Sequence, residues 1–207
     1  MELKRSVRRR LIDLARRRQR PGSGSSPSFL RRRTSLAQFP DLKPVLTGIR
    51  WAIVGGVATR LYMPERVTLD LDIVVSAGDR EVVRRRLTEA GFQYKSDLSM
   101  GGSSWTVPDG SSLDVIEMEA PWLDDALAEA QHNLDDSGAP VLPLAYLALM
   151  KFLAGRVQDL ADVTRMLGQA DGETLAAVRQ VFREYLPDDI DDLESLIVLG
   201  QMEVNPP

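Results

Sequence analysis

Two aspartates separated by a single leucine, Asp70 and Asp72, sit inside the run TLDLDIVVS (68–76), which otherwise reads as a β-branched, buried strand. Side chains alternate along a strand, so both carboxylates point to one face while Leu69, Leu71 and Ile73 pack the other. Carboxylates crowded in this way repel each other, and a divalent cation with oxygen ligands, Mg²⁺ or Mn²⁺, is the natural remedy. A third carboxylate, Asp114, lies between Leu113 and Val115 in SSLDVIEM (111–118). If that strand pairs beside the first, three carboxylates share one site. Such a set can hold two metal ions for in-line phosphoryl or nucleotidyl displacement. Asp114 would then act as a metal ligand or as the base that deprotonates the acceptor. The competing reading is an ordinary solvent-facing strand surface.

These groups need a frame. IRWAIV (49–54) predicts a buried strand, and Gly55-Gly56 predicts a strand-to-helix turn whose backbone N–H groups can approach phosphate oxygens closely. TLDLDIVVS predicts the next strand, and GDREVVRRRLTEAGF (78–92) an amphipathic helix. Two further strands follow within 103–118, turned at Pro108-Asp109-Gly110. Arg66 and Thr68 continue the period-two series of the aspartates if the strand reaches back so far. Arg66 has two readings, a structural partner for Asp70 or a triphosphate contact. After Pro121 the pattern turns helical over 122–132, 143–168, 172–186 and 189–203. The fold class expected is α+β: a small mixed sheet with helices, then a C-terminal helical half. The expected divisions are a basic flexible arm (1–35), a catalytic head (36–120) and a helical region (121–207).

Bulk properties narrow the chemistry. The 207 residues contain no cysteine and one histidine, His132, which excludes disulfides and thiolate chemistry and disfavours His-cluster metal sites and Ser-His-Asp triads. No run is long enough to span a bilayer and no secretory signal opens the chain, so a cytoplasmic protein is expected. The net charge of −4 hides an asymmetry: residues 1–50 carry 14 Lys/Arg against 3 Asp/Glu, and the rest carry 12 against 27. A basic arm on an acidic body suits contact with RNA, DNA or anionic lipid; a disordered tail explains the same composition. MELKRSVRRRLIDLARRRQR (1–20) places Leu3, Val7, Leu11 and Leu14 at helical spacing, and PGSGSSPS (21–28) reads as a linker. The acidic run DDIDDLESL (188–196) needs no role beyond favouring a helix N-terminus, and Trp105 is a candidate for stacking on a base.

Together VGG (54–56), LDLDI (69–73) and LDVI (113–116) resemble the signature of the polymerase-β-like nucleotidyltransferase superfamily, with thirteen residues between Gly56 and Asp70. The longer block 51–75 is similar to bacterial stand-alone members, among them abortive-infection and toxin–antitoxin enzymes and drug-modifying adenylyltransferases. The run Arg66-x-Thr68-x-Asp70-x-Asp72 implies nucleotide contacts for Arg66 and Thr68. LALMKFLAGRVQDLADVTRML (147–167) resembles the Lys…Arg…Asp…Asp helix of the toxin-type branch through Lys151, Arg156, Asp159 and Asp162, with Gln158 where that branch carries a basic residue. Lys151 is one of only four lysines among 22 arginines, and it sits among Leu149, Met150, Phe152 and Leu153. It reads as a point-charge phosphate ligand or as a lysine snorkelling at a helix edge.

The resemblance implies transfer of NMP from an NTP, with Mg²⁺ or Mn²⁺, to tRNA or another RNA, as a toxin–antitoxin or phage-defence enzyme. Gly55 and Gly56 would hold triphosphate, Asp70, Asp72 and Asp114 metal; Lys151 would stabilise phosphate charge and Asp159 orient it or the acceptor. The alternatives are a small-molecule (antibiotic) or protein acceptor, or a non-catalytic antitoxin-like or regulatory protein that keeps the fold. A cognate antitoxin or toxin is the implied protein partner.

Overall fold

The computed structural model describes residues 5–18, 39–63, 68 and 70–204. Its described residues form two compact units, a sheet unit (39–61, 68 and 70–143) and a helical unit (5–18, 62–63 and 144–204). Eight α-helices and five strands occur among them, an α+β fold with a mixed sheet. No helix among the described residues is long and apolar enough to cross a membrane.

In the sheet unit, β1 (Trp51–Val54) runs into a short helix α2 (Gly55–Ala58) and a 3₁₀ turn, Thr59–Leu61. Then come β2 (Asp70–Ser76), α3 (Arg80–Glu89), β3 (Gln93–Asp97), β4 (Ser103–Thr106), β5 (Ser112–Met118) and α4 (Leu123–Ala130). The sheet order is β1-β2-β5-β4-β3, with β2 and β5 parallel and the other pairs antiparallel. Leu71, Ile73, Leu113 and Val115 are fully buried on one face, as the alternation requires. The β4–β5 turn forms at the expected place: Gly110 has φ +88°, and Asp109 Oδ1 accepts from the Ser111 amide at 2.8 Å. The unit runs past residue 120 because α4 packs on β1 and β2, and Ile53 exchanges backbone bonds with Pro140 and Leu142. β3 has no counterpart among the sequence expectations. Its five residues are all exposed, so QYKSD carries no apolar alternation to betray an edge strand.

The helical unit contains α1 (Arg5–Arg18), α5 (Leu144–Ala154), α6 (Val157–Gln169), α7 (Gly172–Tyr185) and α8 (Ile190–Val204). The single helix expected over 143–168 is two helices. Gly155 adopts φ +63° and its amide returns to the Lys151 carbonyl at 3.1 Å, closing α5 with a left-handed cap. Helices α6 and α8 approach at Gly168 and Gly200; a Cβ on Gly200 would fall 2.0 Å from the Thr164 carbonyl oxygen.

Residues 5–18 of the expected arm form helix α1; the rest of that arm, 1–4 and 19–35, lies outside the described residues. Helix α1 packs on α8 through charge. Arg8 donates to Asp189 Oδ1 at 2.9 Å, Arg9 to Asp192 Oδ1 at 3.1 Å and Arg16 to Ser195 Oγ at 3.2 Å, and Arg5 pairs with Asp189 at 2.9 Å. The buried Arg8 guanidinium also lies 4.0 Å from the ring centre of Phe152, which meets Phe182 edge to face. Helix α1 is turned away from its expected apolar face. Arg8 and Ile12 are buried, whereas Val7, Leu11 and Leu14 stay 36–44% exposed. The acidic run 188–196 attracts the arginines, and that attraction sets the rotation.

Candidate active site

The β2–β5 register pairs Asp72 with Asp114 and Asp70 with Ser112. Register partners on adjacent strands project from the same face, so Asp72 and Asp114 stand side by side. Asp70 lies on that face at the start of β2. Asp72 and Asp114 are half-buried and Asp70 is exposed, in contrast to the fully buried leucines between them. Two carboxylates about 5 Å apart repel by roughly 1–3 kcal/mol between the water and protein limits of the dielectric. No hydrogen bond or ion pair reaches the Asp70 or Asp114 carboxylate among the described residues.

Strand β1 delivers the glycine turn to the same place, because Val54 pairs with Asp72. Gly55 has φ +64°, and a Cβ built on it would fall 1.9 Å from Asp72 Oδ2. Only glycine lets the carboxylate rest against the backbone there. Gly56 is less tightly constrained: a Cβ there would come 3.1 Å from Thr68 Cβ and Oγ1. The turn is closed by Thr59 Oγ1, which donates to the Gly56 carbonyl at 2.7 Å. Five of the sequence-predicted residues, Gly55, Gly56, Thr68, Asp72 and Asp114, thus gather within one unit, with Asp70 at its edge. Arg66 lies outside the described residues.

Among the described residues, no group of three carboxylate or imidazole side chains is set to hold a metal ion. The register gives a pair and an outlier, and like-charge repulsion favours that spread. The donor set still suits a hard divalent cation, since Asp72 and Asp114 offer only oxygen ligands from neighbouring strands. Glu117 takes no part. It pairs with Val75 on the opposite face, fully buried, where Arg84 Nε donates to it at 2.8 Å and Arg80 also binds it. Glu117, through its hydrogen bond, raises the pKa of the Arg84 guanidinium. Trp105 is not available for stacking on a base: it is 2% exposed and its indole N–H donates to Ser103 Oγ at 2.9 Å.

Lys151 and Asp159 belong to the helical unit, where they form a buried cluster. Lys151 Nζ donates to Asp162 Oδ2 at 2.9 Å and to Asp159 Oδ1 at 3.4 Å. Arg156 grips Asp159 with two bonds, at 2.6 and 3.2 Å, and Gln158 Nε2 donates to Asp162 Oδ1 at 3.0 Å. Two cations face two anions across the α5–α6 junction. Sequence spacing groups these residues correctly but does not reveal that the lysine is only 5% exposed. Nor does it reveal that Gln158 fills its place as a donor to Asp162.

No protein-family model matches the chain, and no characterised protein sequence does. Among solved structures, the chain is similar to ANT(2'')-Ia in complex with adenylyl-2''-tobramycin, at 18% identity and a TM-score of 0.40, over 72% of this chain and 87% of that one. A solution structure of the antibiotic-resistance factor ANT(2'')-Ia gives 19% identity and a TM-score of 0.38, over 71% and 80%.

Proposed function

We propose that this protein is a nucleotidyltransferase that moves NMP from an NTP to an acceptor. One observation carries the reading: the parallel β2–β5 register sets Asp72 beside Asp114, with Gly55 against the Asp72 carboxylate. Asp72 and Asp114, with Asp70 at the edge, are the residues that would hold Mg²⁺ or Mn²⁺. When bound, such a cation neutralises triphosphate charge and lowers the pKa of an attacking hydroxyl. Gly55 and Gly56 supply a turn without side chains for close phosphate approach, Thr68 lines it beside Gly56, and Arg66 adds a cation from the same sequence run. In this reading Asp114 is a metal ligand or the base that takes the acceptor's proton. Lys151 and Asp159 enter this proposal as the residues that hold α5 and α6 together.

The test is transfer of label from α-³²P-NTP with Mg²⁺ and total RNA. Asp72→Asn should lower transfer by at least a thousandfold while the circular-dichroism melt stays that of the wild type; retained activity would falsify the assignment.

RNA is the acceptor this reading favours, and the toxin-type role and protein partner remain proposals attached to it. Within residues 5–18 the arginines differ in how far they are free to meet RNA. Arg5, Arg8, Arg9 and Arg16 are engaged by the acidic helix, whereas Arg10, Arg17 and Arg18 are exposed and have no partner among the described residues. Phosphate contacts from these three alone would contribute about −2 to the slope of log K against log salt for single-stranded RNA, against about −10 if all fourteen basic residues of 1–50 took part. Fluorescence anisotropy with a labelled RNA 20-mer measures it. A small-molecule or protein acceptor predicts no labelled RNA at all.

A further inference from the structure

The sheet unit holds a concavity on the far face from the carboxylates. Trp51 and Ile53 of β1 pair with Val75 and Ile73, and Leu71 shares their face, whereas Asp72 and Asp114 project from the other. A cavity of about 530 Å³ opens against Trp51, Ile53 and Leu71, walled by the 39–43 segment and the 135–141 loop. That volume lies within the range of small-molecule sites. Its remaining wall is the outer side of the glycine turn, through Val57, Arg60 and Leu61.

The chemistry of the walls is mixed in a directed way. The floor is apolar and aromatic. The Arg60 guanidinium lies over the Phe39 ring, 5.3 Å from its centre, and brings a cation to the cavity. Lys43 Nζ, a second cation, donates to the Ser137 carbonyl at 2.6 Å and lies 3.9 Å from Asp41 Oδ1. Carboxylates also border the space, but two of them are turned onto their own loops. Asp135 accepts from the Ser137 amide at 2.9 Å, the Ser137 hydroxyl at 2.7 Å and the Ala139 amide at 2.9 Å, and Asp41 accepts from the Lys43 amide at 3.0 Å. Asp136 is left exposed at the rim.

We infer that this cavity is a binding site for a small aromatic monoanion, its ring on the Trp51–Leu71 floor and its anionic group at Arg60 and Lys43. The ligand carries one negative charge rather than several because Asp41, Asp135 and Asp136 limit how much the site tolerates. Arg60 and Gly55 lie on one short turn, so the occupant reaches the glycine turn from behind, away from the proposed transfer site. The inference is independent of that proposed function.

Calorimetric titration of the full chain with naphthalene-2-sulfonate, and with 2-naphthylmethylammonium as the cation of matching shape, tests it. The anion should bind saturably, at one site, at least tenfold more tightly than the cation. Arg60→Gln should weaken the anion at least tenfold. Leu61→Glu adds a carboxylate at a position 43% exposed, where folding tolerates it, and should also weaken binding tenfold. Asp72→Asn should leave binding within twofold of wild type. Preference for the cation, absence of saturable binding, or wild-type affinity in the Leu61→Glu variant would overturn the assignment.

Discussion

The two units treat charge in opposite ways. In the sheet unit, the register brings like charges together: Asp72 stands beside Asp114, and Asp70 follows on the same face. In the helical unit, buried charges meet opposite ones. Lys151 lies between Asp159 and Asp162, and Arg8 between Asp189 and Asp192. Removing one partner of a buried pair costs more than the pair itself contributes, because the other is left desolvated and unpaired. Adjacent like charges, by contrast, cost stability where they stand. The contrast sets the helical clusters apart as architecture and leaves the carboxylate pair as the proposed transfer site.

The largest expected effect is on the helical side. Lys151→Met leaves Asp159 and Asp162 buried without their shared cation and should cost about 3–5 kcal/mol in urea denaturation. Wild-type stability with lost nucleotidyl transfer would instead move Lys151 into the transfer site and break the contrast. On the sheet side, Asp114→Asn relieves repulsion and should leave stability unchanged or raise it by up to about 1 kcal/mol. A loss greater than that would show the carboxylate to be structural.

The smallest effect is a pH dependence in the helical unit. The Thr174 amide, donating to the Asp171 cap at the start of α7, holds that carboxyl below its ordinary value. Arg179, bonded to Glu194 at 2.6 and 2.8 Å, does the same there. Groups depressed in the folded state stabilise it fully above the ordinary carboxylate range of about 4, and that stability is lost as pH falls through their lowered values. Asp171→Asn keeps a capping side chain without the titrating charge. Its stability should fall less steeply than the wild type's between about pH 4 and 2, read from acid titrations followed by circular dichroism. Parallel curves would remove Asp171 from the acid response.

Much of this was legible in the chain. Alternation around Asp70, Asp72 and Asp114 put those carboxylates on one face of their strands, and the glycine pair marked the turn that approaches them. What escaped was information carried by partners distant in sequence. QYKSD becomes a strand only because β4 offers it an edge. The LAGRV junction is a break because Gly155 takes a left-handed conformation. The basic N-terminus looked like an arm for a polyanion because its acidic partner lies about 180 residues away.

The sequence by itself determined the period-two placement of the aspartates, the glycines that admit them and the charge imbalance between the N-terminus and the body. Local sterics and composition suffice for these. Only the tertiary structure decided that Asp72 faces Asp114 and that Lys151 is buried between two aspartates. It also decided that the arginines of α1 divide between an acidic helix and solvent, and that a cavity lies behind the glycine turn. Each depends on strand register or helix rotation, which hydrophobic burial and charge pairing across the whole chain fix together.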